Sequence, residues 1–200
     1  LFVNAKLNLS TNDATLSLFD EITKGQQKLT NTNLLLENVG VNAPMTLDLH
    51  GKVLSSVGKD LKIDGPFKVF GTVDALSKDG GISEVAFKLT KDLSDLGIVY
   101  GELFYKAKGV PLKFDMTGSY ATNNIIISNS TFQLAQVVLK GAGDIMGLDK
   151  PDSSVNFKFQ SNEVNLEGLH KLIKPLKMVS GKAGVTIDVT QQLKDPLINL

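Results

Sequence analysis

The feature that most constrains this chain is a recurring alternation of apolar and polar residues. It is clearest over residues 45–50, 85–89, 112–117, 155–160 and 185–190. A period of two predicts half-buried antiparallel strands with one apolar face. Short clusters rich in Gly, Asn, Asp and Pro separate these runs, so neighbouring strands are predicted to pair along the chain. The pattern therefore predicts a mainly β fold, an antiparallel meander of about a dozen strands.

Other segments are assigned from the same signals. Further strands are predicted near 4–9, 14–20, 32–41, 61–64, 67–74, 97–106, 124–128 and 131–140. A short amphipathic helix is predicted where apolar residues recur at helical spacing, and Pro175 should end or kink it near Lys174. Its apolar stripe consists of Leu166, Leu169, Leu172, Ile173 and Leu176. A shorter helix within 13–30 and a helical turn over 93–96 are also considered.

Composition excludes several classes of function. The 200 residues are 42% hydrophobic and carry 21 basic and 21 acidic side chains, so a globular module spanning 1–200 is expected. Every basic residue is Lys, and zero net charge without Arg argues against a nucleic-acid partner. The absence of Cys excludes disulfides and zinc–thiolate sites, and it suits an oxidising compartment. The longest near-apolar stretch, 96–105, is interrupted by Glu102 and is too short for a membrane span.

Motifs for catalysis are weak, so we predict that the chain is not an enzyme and has no cofactor or metal site. His50 and His170 lie in unrelated contexts, and both are expected on polar surfaces. Residues 141–147 miss the glycine spacing of a dinucleotide loop and are interpreted as a strand with small residues. Ser56 and Lys59 have the Ser-x-x-Lys spacing, but no companion motif follows and Ser56 is expected in a loop.

The order of several motifs in the second half resembles a known family. Residues 106–200 resemble the AsmA-like family of bacterial envelope proteins, which is related to TamB and to the repeating β-groove lipid-transfer proteins. The resemblance rests on the runs 106–112, 129–134, 139–145, 150–151, 155–159, 164–169 and 193–199. In the family the last run commonly continues through a Gly, which is missing here after Asn199.

The resemblance implies a sheet curled into a β-groove, or taco-like, shape that holds or passes lipid along an apolar concave face. It implies a periplasmic segment of a longer envelope protein, anchored to the inner membrane by a span outside these residues. Phospholipid or another acyl lipid would be the partner, with bacterial membranes reached through the parent protein. The expected groove or core wall consists of Leu112, Phe114, Met116, Phe132, Leu134, Val155, Phe157, Phe159, Val185, Ile187 and Val189. The short helix is expected to plug one end of the sheet.

Two other hypotheses remain open at this point. The apolar faces also suit the closed core of a β-sandwich or barrel in a structural or adhesive cell-surface module without a ligand. A hydrolase with carboxylates on the sheet is the least supported, because paired carboxylates converge only in three dimensions. An accessible apolar cavity, detected as binding of an environment-sensitive dye by the native protein, would favour the lipid-binding hypothesis over the structural module. An activity screen across esters and glycosides would support a hydrolase only if Asp or Glu variants lost the signal.

Overall fold

The structure is a computed structural model that describes residues 7–20, 25–40, 43–57, 60–78 and 81–199. Strands dominate these ranges, which confirms the mainly β fold class. In chain order they are β1 (Leu7–Asp20), β2 (Gly25–Val39), β3 (Pro44–Val57), β4 (Leu61–Lys78), β5 (Gly81–Asp92), β6 (Gly97–Tyr100), β7 (Phe104–Lys106), β8 (Leu112–Ala121), β9 (Asn124–Leu134), β10 (Val137–Met146), β11 (Ser154–Ser161), β12 (Val164–Asn165), β13 (Lys182–Ala183), β14 (Thr186–Gln192) and β15 (Asp195–Asn199).

Thirteen of these strands form one antiparallel sheet. Its main path runs β1-β2-β3-β4-β5-β8-β9-β10-β11-β14-β15, while β6 and β7 form a hairpin beside the first half of β4. Strands β12 and β13 form a separate two-stranded sheet. Each strand of the main path pairs with its neighbours along that path, and β1 and β15 lie at its two ends. The predicted meander is confirmed, and the sheet is open.

Two segments that were predicted as single strands are each interrupted by a tight turn. The segment 131–140 was predicted as one strand, but β9 ends at Leu134 and β10 begins at Val137. Ala135 makes the turn with a positive φ of 52°. The segment 97–106 was likewise predicted as one strand, and it is the β6–β7 hairpin, which turns at Gly101 with a φ of 52°.

The start of the chain also differs from expectation. The predicted separate strands 4–9 and 14–20 correspond to one long strand, β1, and residues 1–6 lie outside the described ranges. The short helix considered within 13–30 is wrong, because the described part of that segment belongs to β1 and β2. Irregularities in the β1–β2 register, including a left-handed Asp13 with a φ of 55°, interrupt the alternation there. The turn over 93–96 is present as a hydrogen-bonded turn, in which the Leu96 N–H donates to the Leu93 carbonyl at 3.0 Å.

The predicted amphipathic α-helix is replaced by two 3₁₀ helices, Leu166–Lys171 and Lys174–Met178. Pro175 lies in the first turn of the second 3₁₀ helix. Proline is tolerated at this position, because the first N–H groups of a helix have no partner within it. The correction has a simple geometric reason. A 3₁₀ helix has three residues per turn, so the spacing Leu166, Leu169, Leu172 aligns on one face as well as it does in an α-helix.

The chain buries little of its surface. It exposes 12846 Å², whereas a compact globular protein of 21.5 kDa exposes roughly 9,200 Å². Among the described residues, the buried apolar side chains are Leu96, Ile127, Val155, Val164, Leu169 and Leu172. Most other apolar side chains are half-buried, as expected for a sheet that is covered on one side at most.

Candidate functional site

Cross-strand register places the apolar side chains of the second half on one face of the sheet. Directly paired residues of an antiparallel sheet point to the same side. Phe114 pairs with Phe132, which in turn pairs with Leu139 on β10. Across the next two strands, Phe159 pairs with Gly141 on one side and with Ile187 on the other. We call this side of the main sheet the apolar face.

The apolar face contains ten of the eleven predicted wall residues at paired or alternating strand positions. They are Leu112, Phe114, Met116, Phe132, Leu134, Val155, Phe157, Phe159, Ile187 and Val189. The eleventh, Val185, lies one residue before β14, where its carbonyl accepts a hydrogen bond from the Ser161 N–H at 2.8 Å.

The same face continues into the first half of the chain, where no wall residues were predicted. Leu89 and Phe87 on β5 pair with Met116 and Gly118 on β8. Beyond β5 the face continues through Val69, Val73, Met45, Leu47, Leu49, Leu34 and Leu36. The alternation at 45–50 and 85–89 was visible in the sequence, so the same rule could have found these residues. The apolar face therefore extends from β2 to β14.

The apolar face is accessible to solvent over most of its extent. Phe114, Phe157 and Phe159 are half-buried, and Phe132 remains 38% exposed. Val155 and Ile127 are the most enclosed of its apolar side chains, at 6% and 7%. In a closed β-sandwich these inward positions would be covered by the opposing sheet. Over the described residues no second large sheet lies opposite, since the only other sheet is the small β12–β13 pair.

Glycines and aromatic rings are matched across neighbouring strands of the apolar face. Phe157 and Phe159 stack with ring centroids 6.0 Å apart and an interplanar angle of 15°. They pair with Gly143 and Gly141 on β10 and lie over those glycines. A Cβ added at Gly143 would be 2.5 Å from the Phe157 ring. Because Gly141 and Gly143 have no side chains, the two phenyl rings can lie flat against the sheet.

The opposite face, which we call the polar face, carries most of the charged side chains of the main sheet. Three ion pairs lie on it, with ammonium–carboxylate distances of 3.2 Å for Lys68 and Asp48, 3.6 Å for Lys113 and Asp92, and 3.8 Å for Lys158 and Asp188. These pairs are substantially exposed, so each contributes little to stability. They form part of the hydrated surface of the polar face.

Local hydrogen bonds affect two carboxyl groups on this face. His50 bonds to the Asp48 carboxylate at 3.0 Å, and this bond holds the pKa of Asp48 below its ordinary value. The Ser94 hydroxyl and backbone N–H lower the pKa of Asp92 in the same way. His50 is half exposed, and His170 is exposed with its Nδ1 against the Glu167 carbonyl. Both histidines are thus at exposed positions, as expected from the sequence.

Lys106 is an exception to this division of charge. It pairs with Ile98, which pairs with Ile63, so it belongs to the apolar side of the β6–β7 hairpin. Its side chain is fully buried, and its ammonium donates to the carbonyls of Ser94 and Leu96, both at 2.7 Å. Burial lowers the pKa of Lys106, while the charges of Asp95 and Asp92 oppose that shift. This contact ties the 93–96 turn to the hairpin.

The end segment, residues 162–185, leaves the main sheet after β11 and returns to it at β14. It carries the two 3₁₀ helices, and of the predicted plug residues Leu169 and Leu172 are buried while Leu166, Ile173 and Leu176 are half-buried. The Tyr105 N–H donates to the Leu172 carbonyl at 2.8 Å, and the Lys174 N–H to the Leu103 carbonyl at 3.2 Å. The segment therefore lies against β7, at the end of the sheet where β9 turns into β10.

The two motifs dismissed in the sequence analysis lie in strands. Gly141 and Gly143 are in β10, as the strand interpretation predicted. Ser56 lies in β3 and not in a loop, paired with Lys62 and Gln26, while Lys59 is outside the described residues. Within the described ranges, no group of three or more His, Cys, Asp and Glu is arranged to hold a metal ion. No helix among the described residues has the length and apolarity needed to cross a membrane.

No protein-family model, no curated protein and no solved structure matches this chain, so the apolar face and the end segment are the features on which a functional proposal can rest.

Proposed function

We propose that this chain is a non-enzymatic lipid-binding module whose apolar face acts as a groove for acyl lipid. The observation that carries the proposal is the continuous, solvent-accessible apolar face from β2 to β14. A sheet with one apolar face must cover it with another layer or with a ligand. The buried apolar side chains of the described residues do not form such a layer along the main sheet.

The dimensions of the face suit acyl chains. Strands β8, β9 and β10 have 10, 11 and 10 residues, which corresponds to roughly 33 Å at about 3.3 Å per residue. A sixteen-carbon chain buried on it gains roughly 12 kcal/mol at about 0.8 kcal/mol per CH₂. A bilayer offers the same burial, so the net preference would be close to zero. Such a balance suits lipid transfer more than storage.

The cellular setting follows from the resemblance of residues 106–200 to the AsmA-like proteins and is part of the proposal. We place the chain in the periplasm of a bacterial envelope, within a longer protein anchored to the inner membrane. Its partners would be phospholipid and the membranes that the parent protein reaches. Its role would be to support lipid homeostasis or assembly of the outer membrane.

The first experiment asks whether lipid accompanies the native protein. Native mass spectrometry of gently purified protein, followed by solvent extraction, should reveal phospholipid at near-stoichiometric amounts. A ligand-free mass, with no uptake from liposomes and no binding of an environment-sensitive dye, would contradict the proposal. The module would then be a structural or adhesive one.

The second experiment tests the apolar face itself. Phe157→Asp and Phe159→Asp place a carboxylate among the stacked rings, and each should reduce retained lipid at least tenfold, since burying an unpaired charge is costly. Gln160→Asp is the matched control, because Gln160 is exposed on the polar face of the same strand. Phe132→Asp serves if the β11 variants unfold, since Phe132 is already 38% exposed. Wild-type lipid levels in folded variants would show that these residues do not contact the lipid.

A further inference from the structure

Lys91 is the charged residue of the apolar face whose ammonium has no partner among the described residues. On β5 it follows Val85, Phe87 and Leu89 at alternate positions. It pairs with Val69 on β4 and with Phe114 on β8, so its side chain lies on the apolar face. No ion pair or side-chain hydrogen bond joins it to any residue that the structure describes.

Comparison with the other lysines shows how unusual this position is. Lys88 and Lys113, on the same and the adjacent strand, pair with Thr72 and Asp92 and therefore lie on the polar face. Lys106 lies on the apolar side, but backbone carbonyls bond its ammonium. Among the described side chains at paired positions of the sheet, no Asp or Glu lies on the apolar face. Lys91 thus gives that face a positive charge that no carboxylate among the described side chains balances.

The position of Lys91 along its strand suits a head group. It is the residue before the end of β5 and lies next to the 93–96 turn. On the β8 side the apolar face ends one pair further on, at Leu112, whereas on β4 it continues through Phe67 and Ile63. Its side chain is half-buried, so the ammonium can stay hydrated while the methylene stem lies among apolar neighbours. An amphiphile lying along β5 would have its apolar chain toward Leu89 and Phe87 and its polar end at Lys91, where the strand ends.

We infer that Lys91 recognises the anionic head group of an acyl lipid whose chain lies on the apolar face. The ligand class is therefore an amphiphile with a phosphate or carboxylate next to its acyl chain, and the inference rests on the proposed lipid-binding function. An ammonium at a half-buried position is screened less by water than a fully exposed one, so an anion beside it gains more.

The test compares lipids that share one sixteen-carbon chain and differ in head group. Palmitate carries a carboxylate, palmitoyl lysophosphatidate carries a phosphate, and monopalmitoylglycerol is uncharged. Affinities are measured below the micelle concentration by displacement of an environment-sensitive dye. The wild-type protein should bind both anions roughly tenfold more tightly than the neutral lipid, and added salt should reduce that difference.

The variant Lys91→Gln should lower the affinity for the anions to that of monopalmitoylglycerol and leave the neutral lipid within about twofold. Lys91→Met, which keeps the apolar stem, should do the same, so that loss of packing is separated from loss of charge. Lys88→Gln is the control, because Lys88 is exposed on the polar face of the same strand. If the Lys91 variants lose affinity for lysophosphatidate alone, phosphate is the recognised group. If they lose affinity for palmitate alone, carboxylate is the recognised group.

Two results would overturn the inference while leaving the lipid-binding proposal intact. They are equal affinity of the wild-type protein for charged and neutral lipids, and unchanged anion affinity in both Lys91 variants. If no lipid of the three displaces the dye from the wild-type protein, the proposed function fails together with the inference. The neutral lipid therefore separates failure of the head-group site from failure of the groove.

Discussion

At the residue scale, the apolar face depends on glycines as much as on its large side chains. Gly141 and Gly143 lie beneath the rings of Phe159 and Phe157, and Gly118 lies opposite Phe87, whose ring a Cβ at that position would approach to 2.8 Å. A β-strand glycine ordinarily weakens the strand, because it loses more backbone entropy on folding. Here the neighbouring ring covers the glycine, so the pair behaves as one packing unit.

This packing predicts that even a methyl group is harmful at Gly143. Gly143→Ala should lower the free energy of unfolding by about 2–3 kcal/mol, because the Phe157 ring and the neighbouring backbone must move. The matched control is Gly184→Ala, where the nearest atom to the new Cβ is 3.8 Å away and the change should be within about 0.5 kcal/mol. Urea denaturation measures both. Equal effects of the two substitutions would show that Gly143 has no special packing role.

At the element scale, the end segment is the part of the molecule that departs from the meander. Residues 162–185 join β11 to β14, two strands that also pair directly with each other. The ends of the segment are close together, since the Ser161 N–H donates to the Val185 carbonyl and the Val185 N–H donates to the Ser161 hydroxyl, both at 2.8 Å. Inside the segment, Leu169 and Leu172 are buried. The segment is thus an appended unit that lies against the β6–β7 hairpin.

We therefore expect the main sheet to form without this unit. Replacing residues 163–184 by two glycines should preserve the β-sheet signal in far-ultraviolet circular dichroism, because the β11–β14 pairing is independent of the segment. The melting temperature should fall by several degrees as the apolar contacts of Leu169 and Leu172 are lost. Loss of the sheet signal would mean that the unit is an obligatory part of the core.

The sequence predicted these elements unevenly, for physical reasons. Alternation identified β8, β11 and β14 because each keeps a strict period of two. It failed at Ala135, because a left-handed alanine at a tight turn carries no sequence signal of the kind that Gly or Asn gives. The helical spacing of apolar residues predicted one α-helix in place of the two 3₁₀ helices, because Leu166, Leu169 and Leu172 fit both helical periods.

The candidate site was predictable in part from the same alternation. Phe114, Phe157 and Ile187 were assigned to one face without knowledge of the register, because a period of two fixes the side of each strand. Sequence showed neither the register between strands nor the fact that β8, rather than β6, lies beside β5, so it could not show Lys91 between Val69 and Phe114. Nor could it show that Lys106, in a similar apolar setting, is bonded by backbone carbonyls that only the folded turn brings together.

At the scale of the whole molecule, the sheet is broad and thin. Its main path from β1 to β15 spans roughly 48 Å at about 4.8 Å between neighbouring strands. The excess of surface over that of a compact globule has the same origin, since the apolar face is not covered by a second large layer.

The open sheet should be visible in solution. A compact globule of 200 residues has a radius of gyration of roughly 16.5 Å, and this chain should exceed that value in small-angle X-ray scattering of the monomer. Binding of a lipid should change the radius of gyration little, because the ligand covers the apolar face without closing the sheet. A monomer at or below the compact value would indicate that the sheet closes on itself.

The pairing of consecutive strands has a consequence for how the chain acquires its structure. Most strands of the main path contact only the strands before and after them, and the β6–β7 hairpin and the end segment are themselves local excursions. Contacts close in sequence form quickly, because little loop entropy is lost before they are made. The sheet can therefore form by successive addition of hairpins from either end, without an early contact between distant parts of the chain.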